Sequence, residues 1–210
     1  MMKTVCYKPG ACYHNAVAAT GVGCYPARLP PSRTTIDKFF PGFSSGAKQV
    51  DGVEIPFVTA GSGPPLLLAH GHPQSRVIWQ KVAPALARRF TVVASDLRGY
   101  GDASKPPGVP DHSTYIKREM ARDQYELMLS LGFDKFSVVA HDGADRNAGR
   151  KIACPLRVLW GKHGVIERCF EPLKDWSRVA AEMSGRALDC GHYIPEEAPA
   201  ALLAEIEAFF

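Results

Sequence analysis

Several features that would assign a chain to a large functional class are missing from this sequence. No stretch of its 210 residues approaches the roughly 20 consecutive apolar residues that a membrane span requires. The net charge of +4 is too small to indicate a nucleic-acid-binding protein. The glycine-rich segment Gly61-Ser62-Gly63 lacks the lysine and the following helix of a phosphate-binding loop. We therefore expect no membrane partner, no nucleic-acid partner and no nucleotide cofactor.

The first 36 residues contain no acidic side chain and carry the whole net charge of +4. Their three cysteines and one histidine do not match a common zinc spacing: Cys6, Cys12, His14, Cys24. The segment is poor in the arginine and serine of a transit peptide, and no apolar core of a secretory signal follows its basic start. We expect residues 1–38 to be a disordered or non-native leader and residues 39–210 to form the domain.

The three remaining cysteines, Cys154, Cys169 and Cys190, are scattered in apolar contexts. Such positions are typical of core thiols in a reducing compartment. With no targeting signal and no disulfide pattern, the sequence favours a cytoplasmic protein.

From about residue 47, short apolar runs alternate with amphipathic segments. Asp51-Gly52 between two valines predicts a two-residue hairpin. The predicted strands are Val53–Val58, Pro65–Ala69, Thr91–Ala94, Phe136–Ala140, Leu156–Trp160 and Arg186–Cys190. Apolar residues at helical spacing predict helices around Ile78 to Leu86, Ile116 to Leu131, Leu173 to Met183 and Leu202 to Phe209. This alternation predicts an α/β protein with a mostly parallel sheet and an N-terminal β-hairpin.

Three short motifs follow predicted strands, at the sheet edge where such proteins bind their ligands. Ala140-His141-Asp142-Gly143-Ala144 has the shape of a nucleophile elbow with an aspartate in place of the serine. Gly191-His192 follows the last strand. Enzymes with a nucleophile elbow carry their catalytic base at this place in the order of the chain. His70-Gly71-His72-Pro73 follows an early strand. In enzymes with a nucleophile elbow, the loop after an early strand supplies one backbone N–H of the oxyanion hole.

The motifs occur in an order that resembles the α/β hydrolases. They are His-Gly-His-Pro-Gln-Ser-Arg at 70–76, Asp-Leu-Arg-Gly-Tyr-Gly at 96–101, the His-Asp elbow, Cys-Pro-Leu-Arg-Val-Leu-Trp-Gly at 154–161 and Cys-Gly-His-Tyr-Ile-Pro-Glu-Glu-Ala-Pro at 190–199. Within that fold they are most similar to the haloacetate (fluoroacetate) dehalogenases, and next to the epoxide hydrolases. The resemblance covers about residues 39–210.

The resemblance implies a role for each candidate residue. Asp142 would be the nucleophile, and its carboxylate, ionised at neutral pH, would displace halide and form an ester. His192 would activate water against that ester, and the backbone N–H groups of His72 and Gly143 would stabilise the oxyanion. The implied partner is a small haloacetate-like substrate; no cofactor or metal is implied, and a homodimer is left open.

The sequence departs from the family after the elbow. Gly143 and Ala144 stand where the family has the arginine that binds the substrate carboxylate. Asp145–Ile152 already resembles the segment before the next-to-last strand. Residues 141–155 contain Ile152 as their only large aliphatic side chain, too few for a packed crossover helix. We infer an internal truncation that removes one strand-helix unit, the cap domain and the triad acid, through a deletion, a splicing choice or a gene-model error.

Other interpretations of single residues remain open. Asp145, Asp189, Glu196 and Glu197 are candidates to replace the missing acid, although we interpret each as a solvated charge. A metal site at His70, His72, His141 and Asp142 is the minor alternative, because Gly71 and Pro73 fit a tight oxyanion turn better. We interpret His141 as a packing residue, and Asp96 and Arg98 as ties within their loop.

Three functions therefore remain from the sequence: a haloacetate dehalogenase-like hydrolase, a non-catalytic remnant of that fold, and an epoxide or ester hydrolase.

Overall fold

A computed structural model describes residues 4–7, 38–141 and 152–210. Asp142, Gly143 and Asp145 lie outside these residues, as does most of the leader. The strands are β1 (Thr4–Tyr7), β2 (Ser44–Val50), β3 (Val53–Ala60), β4 (Pro65–Ala69), β5 (Thr91–Ser95), β6 (Ser137–His141), β7 (Leu156–Gly161) and β8 (Met183–Leu188). The helices are α1 (Ala83–Leu86), α2 (Lys117–Ser130), α3 (Val165–Cys169), α4 (Pro172–Ser177), α5 (Ile194–Glu197) and α6 (Pro199–Phe209), with short 3-10 helices at Arg76–Trp79 and Ser113–Tyr115.

The described strands form one sheet in the order β2-β3-β5-β4-β6-β1-β7-β8. β4 pairs in parallel with β5 and with β6, and β7 pairs in parallel with β8. β2 and β3 form the predicted N-terminal hairpin, whose turn residues Asp51 and Gly52 both have positive φ. The predicted α/β architecture with a largely parallel sheet and an N-terminal hairpin is confirmed.

Both faces of β4 are covered, since successive side chains of a strand point to opposite sides of the sheet and each side has its own apolar cluster. On one face Leu66 and Leu68 pack with the 3-10 helix at Arg76–Trp79, α1 and α6. On the other face Leu67 packs with Leu127 and Met128 of α2. A third cluster surrounds β7 and contains Trp160, Ile166 and Trp176 among its members. The continuous apolar run of β4 is thus explained by burial on both sides.

β1 is the one strand that the sequence analysis did not anticipate. It lies between β6 and β7 and runs antiparallel to both, with Thr4 opposite His141 on one side and opposite Leu159 on the other. These four residues belong to the expected leader, whereas the structure describes them as a strand. The strand-helix unit inferred to be missing would follow β6 in the chain, and β1 occupies the position in the sheet between β6 and β7.

Several predicted boundaries need correction. The final strand was expected at Arg186–Cys190, whereas β8 is Met183–Leu188 and pairs with β7 along its whole length. The helix expected to reach Met183 ends at Ser177 in α4. Gly185 permits the β8 pairing, since a Cβ there would lie 2.1 Å from the Val158 carbonyl oxygen.

The apolar spacing around Ile78 to Leu86 belongs to two short helices, the 3-10 helix at Arg76–Trp79 and α1, with Pro84 in the first turn of α1.

Cys154 and Cys190 are buried thiols as expected, whereas Cys169 is exposed. Within the described residues, no helix has the length and apolar character to cross a membrane.

Candidate active site

The oxyanion loop, residues 70–76, begins where β4 ends and carries the buried imidazole of His70. The Leu97 backbone N–H donates to Nε2 of His70 over 3.0 Å, and Nδ1 lies 2.9 Å from the Gly71 carbonyl oxygen. Nε2 is therefore an acceptor, and the ring proton sits on Nδ1. Burial lowers the pKa of His70 below its ordinary value of 6.5, while the Gly71 hydrogen bond and the Asp96 charge oppose that shift. His70 is therefore neutral and supports the loop through one hydrogen bond at each ring nitrogen.

Asp96 joins the oxyanion loop to the loop that follows β5. Its carboxylate is fully buried and accepts from the Arg76 backbone N–H over 2.7 Å and from the Arg76 guanidinium. It also accepts from the Asp102 backbone N–H over 2.9 Å, while the Asp102 carboxylate binds the same guanidinium. The interpretation that Asp96 holds its own loop together is confirmed by the bond to Asp102. Through Arg76, Asp96 also fixes the oxyanion loop.

Arg98 ties the same β5 loop to α2. Its Nε and Nη2 atoms donate to both oxygens of the buried Asp123 carboxylate, over 2.6 and 2.5 Å. These bonds raise the pKa of Arg98 above its ordinary value. This two-pronged geometry is the strongest form of an arginine–carboxylate contact.

His72, the candidate source of an oxyanion-hole N–H, lies in the exposed part of the oxyanion loop. Its Nδ1 is 3.1 Å from the Tyr100 hydroxyl, and the two rings meet edge to face. The His72–Pro73 peptide bond is cis. A shallow depression of about 500 Å³ lies beside this loop and is lined by residues 73–75, 77, 78 and 99–101 and by Glu196.

His141 ends β6 and directly precedes Asp142 in the chain. Its buried ring lies between two loops: Nδ1 is 3.1 Å from the Gln74 side-chain amide, and Nε2 is 3.3 Å from the His192 carbonyl oxygen. A carbonyl only accepts, so the second bond requires the proton on Nε2. The Gln74 amide can present either its oxygen or its NH2 group to Nδ1. His141 is therefore more than a packing residue, because it connects the oxyanion loop to the segment that carries His192.

That segment, the base loop at residues 189–193, follows β8. The loop after β7 is fastened to it by backbone bonds, from the Lys162 N–H to the Leu188 carbonyl over 2.8 Å and from the His163 N–H to the Cys190 carbonyl over 3.0 Å. A Cβ at Gly161 would lie 1.6 Å from the Gly191 carbonyl oxygen. The base loop thus crosses directly over the end of β7, and only glycine fits at position 161.

Glu197 holds the base loop from the other side. Its Oε2 accepts from the Gly191 N–H over 2.6 Å, and its Oε1 accepts from the Tyr193 N–H over 2.8 Å. Glu197 is an exposed charge, as interpreted, but both of its oxygens also accept from the backbone on either side of His192.

Of the two further candidates for the missing acid, Asp189 has another partner for its carboxylate. The Asp189 carboxylate lies 2.7 Å from Nε2 of His163, in a pair whose side chains are 85% and 62% exposed. The Glu196 backbone carbonyl accepts from Nζ of Lys81. In the part of the chain that the structure describes, no three His, Cys, Asp or Glu side chains are grouped so that they could hold a metal ion.

Comparisons with known proteins identify the fold. A sequence model of the alpha/beta hydrolase fold matches residues 64–142. A solved structure from Nostoc sp. PCC 7120, provisionally assigned as an alpha/beta hydrolase, superposes with a TM-score of 0.75 at 29% identity, over 80% of this chain and 98% of that one. This chain has the α/β hydrolase fold.

The curated relatives of this chain are matched only in part. Fluoroacetate dehalogenase from Burkholderia sp. is 52% identical over 111 residues, which are 53% of this chain and 36% of that protein. Soluble epoxide hydrolase from Corynebacterium sp. (strain C12) is 50% identical over 93 residues, which are 44% of this chain and 31% of that protein. The chain therefore spans about a third of the length of these two relatives, which fits the inferred truncation.

The structure describes two of the four residues expected in the site. It places His72 in the loop after β4 and His192 in the loop after β8, while Asp142 and Gly143 lie outside the described residues but follow β6 directly in the chain. Sequence reasoning missed the connecting roles of Gln74, His141 and Glu197. The only signal for them was position: each lies within five residues of a candidate site residue.

Proposed function

We propose that this α/β hydrolase acts on small halogenated acids in the manner of a haloacetate dehalogenase. The observation that carries the proposal is the placement of His141, whose ring contacts both the oxyanion loop and the carbonyl of His192. Asp142 is the next residue in the chain. The three segments that bear the proposed nucleophile, base and oxyanion donors therefore converge on one side chain.

The proposed reaction has two steps. An Asp142 oxygen attacks the carbon that bears the halogen, the carbon–halogen bond breaks, and halide leaves with the bonding electrons. The product is an ester between Asp142 and the substrate. His192 then takes a proton from water, the oxygen of which adds to the Asp142 carbonyl carbon. Collapse breaks the ester bond and releases the hydroxy acid, whose new hydroxyl takes the proton from His192. The Asp142 carboxyl group then loses the second proton of the water to solvent, which returns the carboxylate.

The backbone N–H groups of His72 and Gly143 are the proposed donors to the oxyanion of the second step. For His72 this is supported by the position of the oxyanion loop, which starts at the carboxyl end of β4 and is fixed by Asp96 through Arg76. The reaction as written needs only water, and a cytoplasmic location with small-molecule substrates remains part of the proposal.

The test is halide release from fluoroacetate and chloroacetate by the wild-type chain and two variants. We expect wild-type release, none from Asp142→Asn, and from His192→Gln about one halide per chain with a covalent carboxymethyl ester visible by mass spectrometry. An unchanged turnover in Asp142→Asn would contradict the proposal.

The second candidate, an epoxide hydrolase, is favoured by the 50% identity to the Corynebacterium enzyme over 93 residues. Diol formation from a small epoxide, without halide release from either haloacetate, would support it. The remaining alternative is a non-catalytic remnant, which predicts neither activity and no cooperative thermal transition.

Sequencing the transcript across the codons for Asp142 to Ile152 shows whether the short connection after β6 is real or an incomplete reading of a longer gene. An additional in-frame segment of roughly a hundred codons, the size of a small domain, would show that the present chain is an incomplete reading of a longer enzyme. An uninterrupted junction would favour the remnant.

A further inference from the structure

We propose that Glu197 is a positioning residue for His192, with His141 as the opposing support. The proposal rests on the proposed function of His192 as the base. Glu197 does not take part in the chemistry in this proposal. It acts by fixing the backbone from which the imidazole of His192 projects.

The first argument is the geometry of the Glu197 carboxylate. Its two oxygens accept separate hydrogen bonds, over 2.6 Å from the N–H of Gly191 and over 2.8 Å from the N–H of Tyr193. Those are the two residues that flank His192. Hydrogen bonds to an ionised acceptor are shorter and stronger than neutral ones. One side chain therefore fixes the backbone immediately before and immediately after the proposed base.

The second argument is the lack of room for the base loop to shift. A Cβ at Gly191 would lie 2.6 Å from Oε2 of Glu197, and a Cβ at Gly161 would lie 1.6 Å from the Gly191 carbonyl oxygen. Gly191 is therefore packed between the end of β7 and the Glu197 carboxylate. Removal of that carboxylate opens one side of this contact.

The third argument is the contact on the opposite side. The carbonyl oxygen of His192 lies 3.3 Å from Nε2 of His141, and this ring is held in turn by Gln74. Three consecutive residues, 191 to 193, thus each have one main-chain polar atom fixed by a side chain. Two of these contacts come from Glu197 and one comes from His141.

The expected consequence is specific to one chemical step. The first step needs only the Asp142 carboxylate, whereas hydrolysis of the ester needs His192 aimed at a water molecule. Displacement of a catalytic group by about 1 Å can reduce a rate by about a hundredfold. A change at Glu197 should therefore slow ester hydrolysis and leave ester formation almost unaltered.

The experiment compares Glu197→Ala and Glu197→Gln with the wild-type chain. Glu207→Ala is the matched control, because it makes the same substitution at an exposed glutamate of the neighbouring helix α6. Rapid-quench measurements with chloroacetate give the rate of the first halide release and the steady-state rate. We expect Glu197→Ala to keep the first rate and to lower the steady-state rate by about ten- to a hundredfold. Glu197→Gln, which retains one acceptor oxygen, should fall between Glu197→Ala and wild type, and Glu207→Ala should match wild type.

A second measurement does not depend on turnover. Nitrogen NMR of imidazole-labelled protein, assigned with His192→Gln, reports the tautomer and mobility of His192. We expect one sharp set of His192 signals in wild type and in Glu207→Ala, and broadened or doubled signals in Glu197→Ala. Unchanged signals in Glu197→Ala would overturn the positioning role, as would equal loss of both kinetic phases. If wild type releases no halide but the signals change as expected, the proposed function fails and the positioning of His192 stands.

Discussion

The oxyanion loop and the base loop leave the same edge of the sheet, yet they are held by different kinds of interaction. The oxyanion loop is anchored by Asp96 and Arg76, whose side chains are 0% and 2% exposed. The base loop is anchored by backbone bonds to the loop after β7 and by the exposed carboxylate of Glu197. A buried ion pair that loses one partner leaves an uncompensated charge, whereas a surface contact can return to water.

The two kinds of anchor should therefore affect two different properties, the stability of the fold and the local geometry of the site. A change in the anchor of the oxyanion loop should cost the whole fold, because that anchor lies in the interior. A change in the anchor of the base loop should alter local geometry while the fold persists. The three predictions below test this contrast, in order of decreasing effect.

The largest effect is expected from Asp96→Asn. The variant keeps the shape of the side chain but removes the charge that faces the buried Arg76 guanidinium and the Asp102 N–H. Breaking a buried pair from one side typically costs about 3–5 kcal/mol. We expect a loss of that size in the free energy of unfolding, measured by urea denaturation.

Asp102→Asn is the control for this variant, since Asp102 binds the same guanidinium but its side chain is 45% exposed. Its expected loss is at most about 1 kcal/mol. Equal losses in the two variants would mean that burial does not distinguish the anchor of the oxyanion loop from an ordinary surface contact.

The pH dependence of stability should give an intermediate effect. Burial holds the pKa of His70 below the 6.5 expected in the unfolded chain. On acidification the unfolded chain therefore takes up a proton before the folded one, so stability is complete above about pH 6.5 and is lost as the pH falls toward the folded pKa. The slope can reach about 1.4 kcal/mol per pH unit for one such group.

His70→Gln tests the assignment, because a glutamine side chain does not titrate. Urea denaturation between pH 7.5 and 5 should show a shallower loss of stability in the variant than in wild type. If the free energy of unfolding falls equally with pH in both proteins, other groups cause the acid sensitivity and His70 does not contribute to it.

The smallest effect is expected from Asp189→Asn in the base loop. Asp189 pairs with His163 at 2.7 Å, but both side chains are largely exposed. Substitutions at such sites usually change stability by no more than about 0.5 kcal/mol. A loss comparable to that of Asp96→Asn, measured in the same urea titration, would contradict the contrast between the two loops.

Much of the first part of the fold could be predicted because its signals are local. The Asp51-Gly52 turn specifies the hairpin, the apolar run Pro65–Ala69 coincides with β4, and Gly132, with φ of 87°, follows the end of α2 as expected. Turn residues and buried runs determine such elements without distant contacts.

The second part depends on contacts that the local pattern does not reveal. The Met183-Ser-Gly-Arg segment has little strand character of its own, and β8 begins there because it pairs with β7 from Leu156 onward. Within the site, the candidate base His192 could be identified from its motif. The role of Glu197 could not, because a glutamate in a short acidic helix has the sequence appearance of an exposed charge whether or not it binds backbone amides.

The position of β1 has a consequence for the order of folding. Residues 4–7 are synthesised long before β7, one of their two neighbours in the sheet, which is completed only at Gly161. In the described sheet β1 is the only strand that joins the five strands on the β6 side to the pair β7 and β8. Pairing over so large a separation in sequence slows folding. Residues 4–7 must therefore remain available until β7 has been synthesised, and a fusion partner placed before Thr4 would act directly on the closing step of the sheet.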